Sequence, residues 1–302
     1  MTSIEIRSET TIAKVLPERG FNCYSLIVDG FDYLYQAPDL FPDGKPTRSG
    51  IPILFPWPNR MAHSRFTWGG VEYEVPVTEE ATGASLHGFA CRTPWRVVQT
   101  REDSVTGEWI LSRDAADMAA LWPADAGIRV TYQVQPTRLT VTSEIFSNDD
   151  RDLPFGLGFH PYFRVPGPFD QWLLQCDASE IWPLADMVPS GPPVPVPADL
   201  DFRRARKLGD QRLDDVLTGL PPADGITRRA ALLSMASSLS LSSDASFRDY
   251  VLFTPASRDT VAIEPYTCAT DAMNLTARGV DAGWTVLTAG QKMTCTWWVD
   301  IA

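Results

Sequence analysis

The chain has 302 residues, 44% of them hydrophobic and 21% charged, the usage of a globular protein with an extensive core rather than of a disordered segment. Its formal net charge of -12 works against nucleic acid or a strongly phosphorylated partner, since both are held by clustered Lys and Arg, although a local Arg cluster can override the global sign. No run of about 18 apolar residues occurs and the opening MTSIEIRSETTIAK has no apolar signal region, so neither a membrane span nor export is expected, and a cytoplasmic protein is.

Strand signals dominate the chain. Residues 22 to 36, NCYSLIVDGFDYLYQ, are two β-rich runs meeting at Asp29-Gly30, a dipeptide that tolerates the positive φ of a tight hairpin. Residues 65 to 75 repeat the device around Gly69-Gly70. AADMAALW, 115 to 122, predicts a short helix. GEWILSR, IRVTYQV and RLTVTSEIFSN, between 107 and 148, read as strands, and in the last Leu139, Val141 and Ile145 share one face while Thr140, Thr142 and Glu144 share the other. The Pro-rich stretch 181 to 200 repeatedly lacks backbone donors and predicts a surface excursion or sheet edge near a cleft. QRLDDVLTGL, 211 to 220, predicts a helix or a loop. YVLFT, TVAIEP and KMTCTWWVDI complete the strands, with Met293, Cys295, Trp297 and Val299 on one face.

The length suggests two domains by the ordinary prior, but large β-sandwiches often fold as one unit. Composition does not shift along the chain, so the expectation is one all-β domain over 1 to 302 with few short helices. Five cysteines (Cys23, Cys91, Cys176, Cys268 and Cys295) are odd in number and widely spread, without C-x-x-C; buried reduced thiols fit this better than a disulfide framework or a zinc ribbon.

Three histidines narrow the search for chemistry: His63, His87 and His160. His160 lies in FGLGFHPYF, where Pro161 biases it toward extended angles and Gly156 and Gly158 allow close backbone approach. An isolated histidine among aromatics is more often a satisfied core residue. Glu264 ends the apolar run TVAIEP before Pro265. Burial would raise its pKa toward that of a general base, whereas a buried Arg partner would make it structural, and both readings stand at this point. His87, in SLHGFACRTPW, precedes Arg92 and Trp95, and Asn59-Arg60 closes the turn-rich FPWPNR; each also fits a plain loop.

Taken together, GIPILFPWPNR (50 to 60), LHGF (86 to 89) with Trp95, FGLGFHPYF (155 to 163), LDDVLTG (213 to 219) and AIEPYTCATDAMN (262 to 274) resemble, in order, the motif series of the aldose 1-epimerase, or galactose mutarotase-like, superfamily. The resemblance implies an antiparallel β-supersandwich and an isomerase acting on a small sugar without cofactor or metal. It implies that Glu264 is the general base at the O1 hydroxyl, that His160 is the general acid at the ring oxygen and that His87 bonds near them. Asn59, Arg60 and an acid of the LDD triplet would hold sugar hydroxyls, and spacing to the next apolar residue favours Asp214 over Asp215. His87-Gly88-Phe89 departs from the His-Gly-Gly of some members, and HGFACR is similar to the hexose-6-phosphate epimerase branch. The acidic net charge of -12 makes a free aldohexose the expected substrate, and an aldose 6-phosphate, gripped by Arg60 and Arg92, is the runner-up. A monomer or homodimer is expected.

Two other classes compete. A glycosidase would pair Glu264 with Asp214 or Asp271 across a glycosidic bond, but leaves the histidines unexplained. A non-catalytic sugar-binding module needs aromatics and polar groups on a β-sandwich, but no matched acid and base. The histidine spacing fits no zinc motif.

Overall fold

In the computed structural model, which describes residues 2 to 38, 45 to 222, 225 and 227 to 302, the chain builds an antiparallel β-supersandwich. A nine-stranded sheet runs in the order Arg96–Thr100, Ser104–Ile110, Ala126–Gln135, Arg138–Ser147, Lys292–Ile301, Ser238–Ser243, Thr227–Leu233, Leu173–Cys176 and Arg206–Lys207. An eight-stranded sheet carries Val194–Pro195, Glu180–Ile181, Asp214–Thr218, Asp249–Phe253, Val261–Tyr266, Gly158–Phe159 and Ile53–Leu54 side by side, with Tyr162–Phe163 also paired to Val261–Tyr266. The first residues form a separate four-stranded meander from Ile4–Ser8 to Phe31–Asp32.

Period-2 patterning places the core between the two large sheets. Leu139, Val141 and Ile145 are fully buried, as are Cys295, Trp297 and Val299, while Thr140, Thr142 and Glu144 keep part of their surface. Opposite them, Tyr250, Leu252 and Ile263 of the eight-stranded sheet enter the same core. Phe159 meets Trp297 at 5.2 Å between ring centroids, and the Tyr250 hydroxyl donates to Ser243 Oγ across the gap at 2.8 Å. Because successive side chains on a strand point to opposite faces, Val251 and Glu264, register partners on adjacent strands, turn to the other face of the same sheet. That outer face is not left to water: Thr47, Arg48, Asn59, Arg60, Glu79 and His87, from segments flanking the edge strand Ile53–Leu54, line a cavity with it.

Both sequence-level hairpins form, with Asp29-Gly30 and Gly69-Gly70 at their turns. Two expectations change. Residues 211 to 220 hold neither helix nor plain loop, because Asp214–Thr218 is a strand paired to Asp249–Phe253 on one side and to Glu180–Ile181 on the other; Val216 and Leu217, buried on opposite faces, give it the two-sided burial of an interior strand. The strand read through residue 113 stops at Ile110, and Leu111–Asp114 is a helical turn followed by a 3-10 stretch over Ala116–Leu121. The Pro-rich stretch does supply the sheet edge, Val194–Pro195. All five cysteines are buried and unpaired, and burial pushes the Cys91 thiol up to about 11, which leaves it protonated and inert. Among the described residues, no helix is long and apolar enough to cross a membrane.

Candidate active site

The cavity of about 280 Å3 on the outer face of the eight-stranded sheet is lined by Asn59, Arg60, His87, His160, Asp214 and Glu264 together. The six come from five separated stretches of the chain. Arg92, by contrast, is exposed and does not line it, its Nη2 donating to the Leu86 carbonyl at 3.0 Å.

Glu264 forms the floor. It sits mid-strand in Val261–Tyr266 with only 2% of its surface exposed. Tyr266, two residues on and therefore on the same face, donates its hydroxyl to Glu264 Oε2 at 2.6 Å. Among the described residues no arginine bonds the carboxylate, so the purely structural reading of a buried Glu–Arg pair is not the one realised. Burial raises the Glu264 pKa well above its ordinary value, the Tyr266 hydrogen bond opposing it and nearby Asp214 adding to it.

His160 lies between the short strands Gly158–Phe159 and Tyr162–Phe163, its amide donating to the Pro52 carbonyl at 3.0 Å. Gly158 makes the approach possible: a Cβ there would stand 2.5 Å from Tyr266 Cδ1. The imidazole Nε2 is 3.4 Å from Glu264 Oε1 and 3.3 Å from the Tyr162 hydroxyl. The Tyr162 ring stacks on it at 4.5 Å, and that tyrosine is fixed by donating to the Thr47 carbonyl. Desolvation brings the His160 pKa down to about 3. Both shifts disfavour charge, so burial favours the neutral pair, carboxylic acid and imidazole, over carboxylate and imidazolium with the same proton shared between them.

His87 closes one wall at a centroid distance of 5.6 Å from the His160 ring. Its positive φ of 69° ends the short strand pairing of Ser85–Leu86 with Arg60–Met61, and its amide donates to the Asn59 carbonyl at 2.9 Å. Burial first, then the His160 and arginine charges, lower its pKa, so it enters the site neutral. Asn59, also at positive φ, accepts from Arg60 Nη1 at 3.1 Å. The rest of the Arg60 fork is taken by Glu79, with Nε and Nη2 each 2.8 Å from a carboxylate oxygen. Asp214, exposed at the start of its strand, reaches the cavity while Asp215 does not line it, and partial desolvation raises the Asp214 pKa against the pull of Arg60.

Asp271 lines a different cavity. Its Oδ1 accepts from the Ala62 amide at 2.9 Å and from Asn274 Nδ2 at 2.7 Å, and its own amide donates to the Arg60 carbonyl. It thus props the loop that carries Arg60 and is not available as a second glycosidase carboxylate. His63, the third histidine, lies in that same cavity. Tyr162, Tyr266, Glu79, Thr47, Arg48 and Phe253 complete the site without having been singled out in the sequence. The two tyrosines had a signal, since each stands two residues beyond a candidate in an extended segment. Glu79 had none, being joined to Arg60 only by the fold. Among the described residues, no cluster of three or more His, Cys, Asp or Glu is arranged to hold a metal ion.

The family model described as aldose 1-epimerase matches residues 3–299. YihR, an uncharacterized protein of Escherichia coli (strain K12), is 26% identical over 227 residues, covering 74% of this chain and 71% of its own. Among solved structures, a galactose mutarotase-like protein from Clostridium acetobutylicum superposes with a TM-score of 0.89 at 19% identity, over 99% of this chain and 95% of that one. The GalM/aldose epimerase homologue from C. elegans gives 0.84 at 19% identity, over 100% and 98%. These likenesses establish the supersandwich, and the match of the family model across nearly the whole sequence establishes kinship: the chain belongs to the aldose 1-epimerase family.

Proposed function

We propose that the chain is an aldose 1-epimerase that interconverts the α and β anomers of a free aldohexose, with Glu264 as general base, His160 as general acid and no cofactor. The observation that carries this reading is the 3.4 Å separation of Glu264 Oε1 and His160 Nε2 in a buried cavity. O1 and O5 of a hemiacetal hang from one carbon, so a base for the first and an acid for the second must be neighbours. Glu264 takes the O1 proton, the O1 electron pair forms the carbonyl, the C1–O5 bond breaks, and His160 delivers its proton to O5. Rotation about C1–C2 turns the aldehyde; O5 then attacks its other face as His160 recovers the proton and Glu264 returns one to the new O1. No carbon is oxidised or reduced, and positioned proton transfers each supply about 10²- to 10⁴-fold.

The microstates fit the cycle. With the ring closed, the working form is carboxylate and imidazolium; ring opening moves one proton through the sugar and leaves acid and neutral imidazole, the form that burial favours. Tyr266 occupies Oε2 and so leaves Oε1 for chemistry. His87 bonds in the O1–O5 region, while Asn59, Arg60 and Asp214 hold ring hydroxyls. Arg60 is already engaged by Glu79 and Arg92 stands outside the cavity, which supports a neutral aldose over its 6-phosphate.

Anomer-resolved NMR of freshly dissolved glucose and galactose, with glucose 6-phosphate alongside, tests the reading. Accelerated exchange of a free aldose is expected; sugar binding without acceleration would leave a carbohydrate-binding module in its place, and much faster exchange of the phosphate would overturn the substrate. Asn59→Ala and Asp214→Asn are each expected to raise KM about 10-fold with smaller loss of kcat, the worth of roughly one hydrogen bond, measured by initial rates across sugar concentration.

The pH profile follows from the shared proton. Below about 3 the pair gains a second proton at His160, and only well above the ordinary carboxylate range does it lose its last one from Glu264. No acid limb from an ordinary imidazole is therefore expected in kcat/KM, and the alkaline limb belongs to Glu264, whose pKa is raised; an acid limb centred at about 6.5, the value of an unburied imidazole, would contradict the lowered His160 pKa.

A further inference from the structure

The proton-transfer cavity does not stand alone. A second cavity, of about 440 Å3, adjoins it and shares Arg48, Tyr162 and Phe253 as walls. It continues over Tyr35 and Ala37 on one side and over the turn at Pro255, Ala256 and Ser257 on the other. The first cavity, at about 280 Å3, lies just below the usual range of roughly 300 to 1000 Å3 for ligand pockets and has room for a single sugar ring. We propose that the two cavities form one extended substrate cleft and that the second accepts a further sugar residue linked to C6 of the reacting aldose, so that the substrate class is a reducing 1→6-linked disaccharide or longer oligosaccharide. The proposal rests on the epimerase reading above.

Three observations carry it. The first is chemistry: the second cavity is lined by the aromatic rings of Tyr35, Tyr162 and Phe253, by small or apolar residues and by one cation, with no carboxylate among the described lining residues. Aromatic faces with a few donors are what a neutral sugar ring needs, its C–H faces stacking and its hydroxyls bonding at the edge. The second is Arg48, an exposed residue common to both cavities, able to donate to hydroxyls of both rings at once.

The third fixes direction. Tyr162, the shared wall, stacks on His160 and meets the same Nε2 that serves the ring oxygen. The second cavity therefore opens at the O5 end of the reacting ring. O5 is bonded to C1 and C5, and C1 faces Glu264, so the way out runs along C5 to C6. At the other end, Asn59, Arg60, Glu79 and Asp214 line only the first cavity and face the remaining hydroxyls.

The test compares anomer exchange of glucose with that of isomaltose and maltose, and of galactose with 6-O-β-galactosyl-galactose, by NMR on the full chain. The 1→6-linked sugars are expected to show kcat/KM about 10-fold above their monosaccharides, lost again in Ala256→Trp and Ala37→Trp, which fill the second cavity from opposite walls and leave monosaccharide rates unchanged. Monosaccharides that equilibrate while the 1→6-linked sugars gain nothing would overturn the extended cleft. An equal gain for maltose would overturn its C6 direction, and a gain that survives both Trp variants would place the second ring elsewhere. No acceleration of any sugar, by contrast, would overturn the epimerase reading itself.

Discussion

Glu264→Gln is expected to lower kcat by about 10²- to 10⁴-fold, a barrier increase of about 3 to 5 kcal/mol, while sugar affinity stays close to wild type. The geometry makes the substitution clean. A Gln amide oxygen can accept the Tyr266 hydroxyl that now bonds Oε2, and its NH2 can face His160 Nε2, which sits 3.4 Å from Oε1. Shape and hydrogen bonding survive and basicity does not. His160→Asn is expected to cost a similar factor, and the double variant much less than the product of the two, because both residues act on one transition state. Stopped-flow polarimetry or NMR exchange rates, with binding measured separately, read both quantities. A folded Glu264→Gln protein that retains wild-type kcat would remove Glu264 as base.

Much of this cavity was legible in the sequence because strand periodicity survives burial. Glu264 closing an apolar run pointed to a carboxylate on a buried sheet face, and the structure explains why it is tolerated there: segments flanking Ile53–Leu54 line the cavity with it and Tyr266 supplies a hydrogen bond. What escaped notice depends on contacts distant in the chain. Glu79 matters only because it meets Arg60 across 19 residues, a meeting set by the strand pairing of Arg60–Met61 with Ser85–Leu86. The strand Asp214–Thr218 is hard to see in DDVLTG, which is short and begins with two acids, poor strand formers; tertiary pairing on both edges overrides that preference. Arg92 looked like a partner for Arg60 from its place after HGFAC, yet the 3-10 turn Ala90–Arg92 carries it outside the cavity.

Gly88→Ala is expected to be the most damaging single-methyl change near the site. Gly88 follows His87 at a φ of +67°, in the left-handed region that costs an L side chain roughly 1 to 2 kcal/mol, and its backbone bridges Phe55. A Cβ there would lie 2.2 Å from the Phe55 carbonyl oxygen and 2.9 Å from Pro56 N. Both are backbone atoms held in place: the same Phe55 carbonyl accepts from the Phe89 and Ala90 amides at 2.9 and 3.1 Å, and Trp57 beyond it is stacked on Trp122 at 5.2 Å. Neither loop can yield without disturbing the other, so the clash adds about 1 to 3 kcal/mol of overpacking to the backbone cost. The total, about 2 to 5 kcal/mol, should appear as a lower midpoint in urea with an unchanged slope. The site should suffer as well, because His87 N to Asn59 O ties both side chains to this crossing; kcat/KM is expected to fall at least 10-fold even at low temperature, where the variant remains folded. Gly70→Ala is the control, since its φ is also positive but a Cβ there would meet nothing within 4 Å: it should lose stability by the backbone cost alone and keep its activity. Equal behaviour of the two variants would mean that the contact with Phe55 does not position His87.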